Sequence, residues 1–212
     1  MYEERATREK ILKKIRKALI HKSAVHTNVD FDTDIFKKPE DSLEVIFAQQ
    51  LTKLNGKFIY CANEKELSDN LLSLINEQKW NSVFAFEDSV KEVLKKSNIS
   101  YSDNEKNIAQ VNVGISLCEY LPARTGSVFV TSKQNAGRRL PAFANYHIVI
   151  AYSNQLVYTI KEALNGIKQK YGKEFPSMII NISGPSRTAD IEKTLVQGAH
   201  GPKEIYVLLV DK

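Results

Sequence analysis

The chain has 212 residues, of which 42% are hydrophobic and 26% charged, and its formal net charge is +5. This length and composition predict one soluble globular domain, and no run approaches the roughly 18 apolar residues of a membrane span. With only Cys61 and Cys118, we expect no disulfide framework and no metal, because an iron–sulfur cluster or structural zinc takes about four ligands. We expect a cytoplasmic protein.

The first forty residues are predicted to form a helix and an extended arm. Ile11, Leu12 and Ile15 fall on one face of the helix, so the many lysines form its outer side. The arm is polar, and its spaced aspartates lack the glycine and the glutamate of an EF-hand loop. We interpret the basic helix as a solvated face or a subunit contact rather than a nucleic-acid site.

Residues 41–212 are predicted to form the α/β domain. A helix over residues 42–54 ends at Asn55-Gly56. The further predicted elements are a strand at 58–62, a helix around 67–75, a strand at 82–86, a helix around 90–94, strands at 111–115, 127–132 and 146–152, a helix at 155–171, a strand at 178–182, a helix at 189–197 and a strand at 205–210. This order predicts a mostly parallel sheet flanked by helices, with a β-rich insertion after residue 111.

The strongest local pattern is the segment 183–192, which joins a predicted strand to a predicted helix. Gly184 allows close backbone approach, Ser186 and Thr188 are candidate helix caps, and Arg187 lies where free helix amides point. These residues predict a site for an anion. A capped turn without a ligand is the alternative.

The segment 198–202 follows this predicted helix and contains His200. Gly198 suits a left-handed helix end, and Pro202 prevents continuation of the helix. His200 is either a cation at the helix end or a proton-transfer group. Because the segment follows the helix, we expect it at the opposite edge of the sheet from Ser186.

Arginines mark two further segments, on either side of the strand predicted at 127–132. The candidate ligand-binding residues are Arg124, Thr125, Gly126, Arg138 and Arg139. Three guanidinium groups brought together would bind a carboxylate or phosphate, since each fork pairs with two oxygens. A set of surface salt bridges is the alternative interpretation.

Several enzyme classes lack their motifs here. The chain has no Walker loop, no G-x-G-x-x-G, no G-x-S-x-G and no helical zinc-binding spacing. Nucleotide hydrolysis, Rossmann-type dinucleotide binding and serine hydrolysis therefore lose support.

The run Ser183-Gly184-Pro185-Ser186-Arg187-Thr188-Ala189-Asp190-Ile191-Glu192, with Gly198-Ala199-His200-Gly201-Pro202, closely resembles the C-terminal signature of the LUD domain family. That family includes C subunits of bacterial lactate-utilisation systems, of the LutC or YkgG type. The resemblance implies a core like that of the NagB/RpiA/CoA-transferase group. It also implies cytoplasmic oxidation of lactate to pyruvate, together with an iron–sulfur subunit and a second oxidoreductase subunit. Any iron–sulfur cluster is then expected on a partner.

The chain departs from the family pattern at one position. Members often have an acidic residue before the Thr-Gly pair, where this chain has Arg124-Thr125-Gly126. Related CoA-transferases use a glutamate as nucleophile, so this departure weakens a covalent mechanism. Glu119 is the nearest substitute and, with His147 and His200, one of the candidate catalytic residues.

Three functions remain open at this stage. The first is a cluster-free subunit of a lactate-oxidising complex that binds a small carboxylate. The second is a stand-alone enzyme acting on an acyl, sugar-phosphate or folate-like substrate, and the third is a ligand-sensing module. A homo-oligomer is compatible with all three.

Overall fold

We describe residues 2–20, 39–134, 139–189, 195–198 and 201–212 of a computed structural model. Contacts divide the chain into two units, Met1–Lys38 and Pro39–Lys212. The described part of the first unit is one helix, and the second is the α/β domain. None of the described helices is long and apolar enough to cross a membrane.

The domain alternates strands and helices along much of its length. The helices are α1 (Tyr2–Ile20), α2 (Leu43–Lys53), α3 (Glu64–Glu77), α4 (Asp88–Lys96), α5 (Arg139–Phe143) and α6 (Ile160–Tyr171). The strands are β1 (Lys57–Cys61), β2 (Val83–Phe84), β3 (Val113–Leu117), β4 (Leu121–Pro122), β5 (Val128–Thr131), β6 (Tyr146–Tyr152), β7 (Leu156–Val157), β8 (Ile179–Ile182), β9 (Arg187–Ala189), β10 (Leu195–Gln197) and β11 (Glu204–Val210).

A five-stranded sheet with the order β1-β11-β6-β3-β2 forms the centre of the domain. All four of its strand pairings are parallel. In the register, Val207 of β11 lies beside Val149 of β6 and Phe58 of β1. The predicted parallel sheet flanked by helices is confirmed.

The two faces of this sheet pack into separate cores because alternate side chains of a strand point to opposite faces. On one face, Ile148 and Leu208 pack with Leu71 of α3 and Leu94 of α4. On the other face, Val149 and Val207 pack with residues of α2 and β5. This second core is the one that supports the candidate site.

Three two-stranded sheets account for the β-rich part of the chain. Strand β5 pairs antiparallel with β8, β4 pairs parallel with β7, and β9 pairs antiparallel with β10. The pairing of β5 with β8 joins the predicted insertion to the C-terminal part of the chain.

The helix predicted at 189–197 is wrong at both of its described ends, and its middle, residues 190–194, lies outside the described part of the chain. Arg187–Ala189 and Leu195–Gln197 are extended instead, and Thr188 pairs with Val196. Short apolar runs do not distinguish helix from strand, and here the pairing of two strands decides the conformation. Among the described residues, Ser186 and Thr188 therefore do not form the helix N-terminus that was expected to attract an anion.

Candidate functional site

Strand pairing brings two of the predicted segments together. Val128 of β5 pairs with Ile182 of β8, so the turn before β5 and the loop after β8 leave this small sheet at the same end. We call Arg124–Ser127 and Ser183–Arg187 the signature cluster. The cluster lies against the C-terminal end of α2.

Two glycines allow this close approach. Gly126 has φ 58° and Gly184 has φ 80°, in the left-handed region that favours glycine. A Cβ on Gly126 would collide with the backbone of Gln50 and Leu51, and one on Gly184 would lie 2.7 Å from the carbonyl oxygen of Leu54. Both positions therefore require glycine.

Arg187 contacts a helix end opposite in polarity to the one expected. Its Nη2 donates to the carbonyl oxygen of Leu54 at 3.1 Å, just after the last residue of α2. Carbonyls at a helix C-terminus carry partial negative charge, which favours the guanidinium and disfavours a bound anion. Arg187 is exposed, and this bond uses one of its five N–H donors.

The segments around Ser186 and Pro202 meet, so the expectation that they lie at opposite edges of the sheet is wrong. The backbone N–H of Ser186 donates to the carbonyl of Pro202 at 2.8 Å, and the N–H of Gly198 donates to the carbonyl of Ser186 at 3.1 Å. The reason is the β9–β10 pairing, which turns the chain back on itself where a helix would have carried it away.

Several hydroxyl groups belong to the same cluster. Thr125 Oγ1 and Ser127 Oγ are 2.7 Å apart, and Thr125 Oγ1 also donates to the carbonyl of Pro122 at 3.2 Å. Thr188 lies in β9, but its side chain is outside the described part of the chain, as are Arg138 and His200.

The predicted arginines Arg124 and Arg139 have different neighbours. Arg124 lies in the turn against α2, and its backbone N–H donates to the carbonyl of Tyr158 at 3.1 Å. Arg139 lies in α5, and its Nη1 is 3.5 Å from Oε2 of Glu105. The ion pair of Arg139 fits the alternative of a surface salt bridge.

Glu119 is at the centre of a second group of polar side chains. It is 4% exposed, and its carboxylate accepts bonds from Thr131 Oγ1 at 3.0 Å, Tyr171 OH at 2.6 Å and Lys170 Nζ at 2.7 Å. Burial lowers the pKa of Lys170, but the hydrogen bond and the charge of Glu119, together with Tyr171, outweigh this effect, and the pKa lies above its usual value. The Glu119 charge is thus balanced inside the fold.

Glu87 lies beside this group and is also buried. Its Oε2 accepts the backbone N–H of Leu117 at 2.9 Å, and its Oε1 accepts Gln134 Nε2 at 3.3 Å. Burial raises the pKa of Glu87, and the charge of Glu119 raises it further. We call Glu87, Glu119, Thr131, Gln134, Lys170 and Tyr171 the acid cluster.

The acid cluster occupies a position where α/β proteins often bind ligands. The chain leaves β2 into α4, whose Val90 packs in the first core, and leaves β3 toward Leu121, which packs in the second core. Neighbouring parallel strands whose connections diverge in this way form a crevice at their carboxyl ends. Glu87 and Glu119 follow those two strands.

The partners of Glu119 in this cluster were not predicted from the sequence. The signal that was present is the position of two acids, Glu87 and Glu119, shortly after two neighbouring buried strands. No pattern in the chain indicated that Lys170 and Tyr171, about fifty residues later, would contact Glu119. A carboxyl with a raised pKa is suited to proton transfer.

His147 is fully buried on β6. Its Nε2 is 2.9 Å from Ser116 Oγ, and its Nδ1 has no hydrogen-bond partner. Burial lowers the pKa of His147 to about 4, so the ring is neutral at physiological pH. In this position a substrate could reach the ring only if the packing around β6 opened.

The described residues contain no group of three or more His, Cys, Asp or Glu side chains that could hold a metal ion. Cys61 and Cys118 are both buried and unpaired as thiols. Burial raises the pKa of the Cys118 thiol, and Glu119 adds to the effect, so this thiol is a poor nucleophile.

Fold and site together define an α/β domain in which a central parallel sheet supports two polar clusters. The chain belongs to the LUD domain family, whose model matches residues 44–210. The matched region includes both the signature cluster and the acid cluster.

Curated relatives match half of this chain or more. A protein named lactate utilization protein C from Shouchella clausii is 30% identical over 187 residues, which cover 82% of this chain and 81% of that protein. A protein of the same name from Bacillus subtilis is 37% identical over 113 residues, 52% of this chain and 47% of that protein.

A solved structure shares the fold. The crystal structure of a DUF162 family protein from Deinococcus radiodurans has a TM-score of 0.55, with 14% sequence identity. The match covers 79% of this chain and 96% of that one. It supports the α/β architecture and carries no information about a ligand.

Proposed function

We propose that this chain is a subunit of a lactate-utilisation system and binds lactate or another small carboxylate. The observation that carries the proposal is the similarity to lactate utilization protein C of Shouchella clausii over four fifths of both chains. In this proposal, oxidation of lactate to pyruvate takes place with an iron–sulfur subunit and a second oxidoreductase subunit. The two cysteines of this chain are too few for a cluster of its own, which takes about four.

Our proposed carboxylate site is the signature cluster. Arg187 is exposed there, and the partly exposed Ser186 and Thr125 supply hydroxyl groups, whereas Ser127 is fully buried. A guanidinium and hydroxyl groups are suited to a carboxylate that also carries a 2-hydroxyl. The ligand would compete with the carbonyl of Leu54 for Arg187, because that carbonyl accepts a bond from it in this structure. We assign proton transfer to Glu87 or Glu119 in preference to the enclosed His147.

The alternative of a stand-alone enzyme of the CoA-transferase type has less support from the geometry. It needs a carboxylate available for attack, next to the arginines. The Glu119 carboxylate instead accepts bonds from Thr131, Lys170 and Tyr171. A sensing module would bind the same ligand without turnover. Lactate-dependent dye reduction in extracts of cells that lack the chain separates this alternative from the first proposal.

Binding by the purified full chain tests the carboxylate site. We expect lactate or pyruvate to produce a saturable heat signal in titration calorimetry, and Arg187→Ala to weaken the affinity about 10- to 100-fold, since hydrogen bonds to charged groups are worth about 1.5–3 kcal/mol. Lys96→Ala, an exposed cation on α4, is the control and should bind like the parent. Equal binding by Arg187→Ala and the parent would remove Arg187 from the site.

A further inference from the structure

A pair of polar side chains, His147 and Ser116, lies inside the fold and is not used by the proposed function. The two residues are 0% and 1% exposed, and Ser116 Oγ is 2.9 Å from His147 Nε2. His147 Nδ1 has no hydrogen-bond partner. A buried polar atom without a partner costs free energy, so its presence in a native fold requires an explanation.

The hydrogen bond inside this pair indicates what Nδ1 offers to a ligand. If Ser116 donates to Nε2, the ring proton lies on Nδ1, and only this N–H is unsatisfied. If Nε2 donates instead, both Nδ1 and the hydroxyl proton of Ser116 are left without a partner among the described residues. The first arrangement leaves fewer groups unsatisfied, so Nδ1 is a hydrogen-bond donor.

The pair lies on the face of the central sheet that α5 covers. Gly114 of β3 is the register partner of His147, and a Cβ on Gly114 would lie 2.8 Å from Leu140 and 3.0 Å from Ala144. Register partners share a face of a sheet, and so do residues two apart along a strand. Leu140 and Ala144 therefore pack over the face that carries both His147 and Ser116.

Helix α5 covers this face with few attachments. In the described part of the chain, it is held by the apolar packing of Leu140 and by an exposed ion pair, in which Arg139 Nη1 is 3.5 Å from Glu105 Oε2. Asn145 is fixed to the start of β11, because its carbonyl accepts the N–H of Lys203 at 2.7 Å. A segment with few contacts opens locally at a small cost in free energy. Movement of α5 about Asn145 would uncover His147.

We propose that His147 and Ser116 form a binding site for the carbonyl oxygen of a small uncharged compound, and that this site opens when α5 moves away from Gly114. The Nδ1–H of His147 donates to the carbonyl oxygen. Val149 and Ile205, the apolar neighbours of His147 on the same face, contact the alkyl part of the compound.

A carboxylate is a poor occupant of this site. Burial of a carboxylate requires a cation or several donors, because the charge loses its hydration. Leu140, Val149 and Ile205 carry no charge, and the pKa of His147 near 4 keeps the ring neutral at physiological pH. This site is therefore distinct from the carboxylate site proposed at the signature cluster, and it does not depend on the proposed function.

Nitrogen NMR of the full chain with ¹⁵N-labelled histidine tests the proposal. Acetone and acetate have similar shapes, but only acetone is uncharged. We expect acetone to shift the ring nitrogen signals of His147 saturably, and acetate at the same concentrations to leave them unchanged. His147→Gln assigns these signals because it removes them.

Variants of the cover provide the second readout. Leu140→Ala removes most of the side chain over Gly114, and Leu71→Ala, equally buried in the first core, is the matched control. We expect Leu140→Ala to bind acetone at least about tenfold more tightly than the parent, because the open state becomes more populated. Leu71→Ala and Arg187→Ala should bind acetone like the parent, so either proposal can fail without the other.

Chemical modification of the parent chain requires no variant. Diethyl pyrocarbonate reacts with neutral imidazole nitrogens, so we expect His147 to be modified only when α5 opens. Acetone should slow this modification at least about threefold, measured by peptide mass spectrometry, without slowing that of the other three histidines. His147 signals that acetone leaves unchanged in both the parent and Leu140→Ala, equal shifts with acetate, or tighter binding of 2-methylpropene, which lacks the oxygen of acetone, would each overturn the proposal.

Discussion

His147 shows how burial determines the chemistry of a single residue. Sequence alone left this residue as a candidate for proton transfer, because imidazole titrates near physiological pH. The structure encloses it in β6 with Ser116 as its partner, and burial moves its pKa to about 4. A ring that is neutral in the folded state and protonated in the unfolded state makes stability depend on pH.

This dependence has a definite sign. Because the folded-state pKa of His147 lies below the unfolded value near 6.5, the unfolded chain binds the extra proton first and stability falls as the pH drops below about 6.5. Between pH 7 and pH 5 we expect His147 to cost about 2 kcal/mol of unfolding free energy, measured by urea denaturation. The free energy of unfolding of His147→Gln should therefore fall by about 2 kcal/mol less than that of the parent over the same pH range. An identical pH profile for the two proteins would contradict burial of a neutral ring.

Gly126 is the residue whose backbone places the signature cluster against α2. Gly172 also has positive φ, at 51°, but has no atom within 4 Å of the position of an added Cβ. Gly172→Ala should therefore cost only the backbone strain of about 1–3 kcal/mol. Gly126→Ala adds the collision with Gln50 and Leu51, and we expect a cost at least about 2 kcal/mol greater. Equal losses in urea denaturation would mean that the turn does not pack on the helix as described.

At the scale of elements, the sequence predicted the central sheet well because its strands carry a strong pattern. The runs that became β6 and β11 are apolar throughout, as strands covered on both faces require. Helix α2 ends as predicted, where Asn55 adopts φ 64° and Gly56 packs against Leu51. In these elements the local pattern and the tertiary packing agree.

The segment after β8 was mispredicted because its local pattern is weak. Three residues on each side of residues 190–194 form β9 and β10, too few to show the alternation of a strand. The expected anion site depended on the helix predicted there. The juxtaposition of Gly126 and Gly184 depends on the long-range pairing of β5 with β8, and this pairing leaves no local trace in the sequence.

At the scale of the whole molecule, charge is distributed very unevenly. Helix α1 carries nearly all of the net positive charge, and the α/β domain contains the matched LUD region. Our two proposals place both ligand sites in the α/β domain, one at the signature cluster and one under α5. Arg187→Ala should therefore weaken carboxylate binding without loss of acetone binding, and Leu140→Ala should strengthen acetone binding without a change in carboxylate binding.

We propose that this chain is needed for lactate oxidation as part of a multi-subunit system. The most direct measurement is lactate-dependent dye reduction in extracts of cells that lack the chain, before and after addition of the purified protein. We predict at least a tenfold loss of activity that the parent chain restores and Arg187→Ala does not, with an iron-containing protein recovered on the tagged parent. Undiminished lactate oxidation in the absence of the chain would contradict the account, and turnover of lactate by the purified chain alone would contradict its role as a subunit.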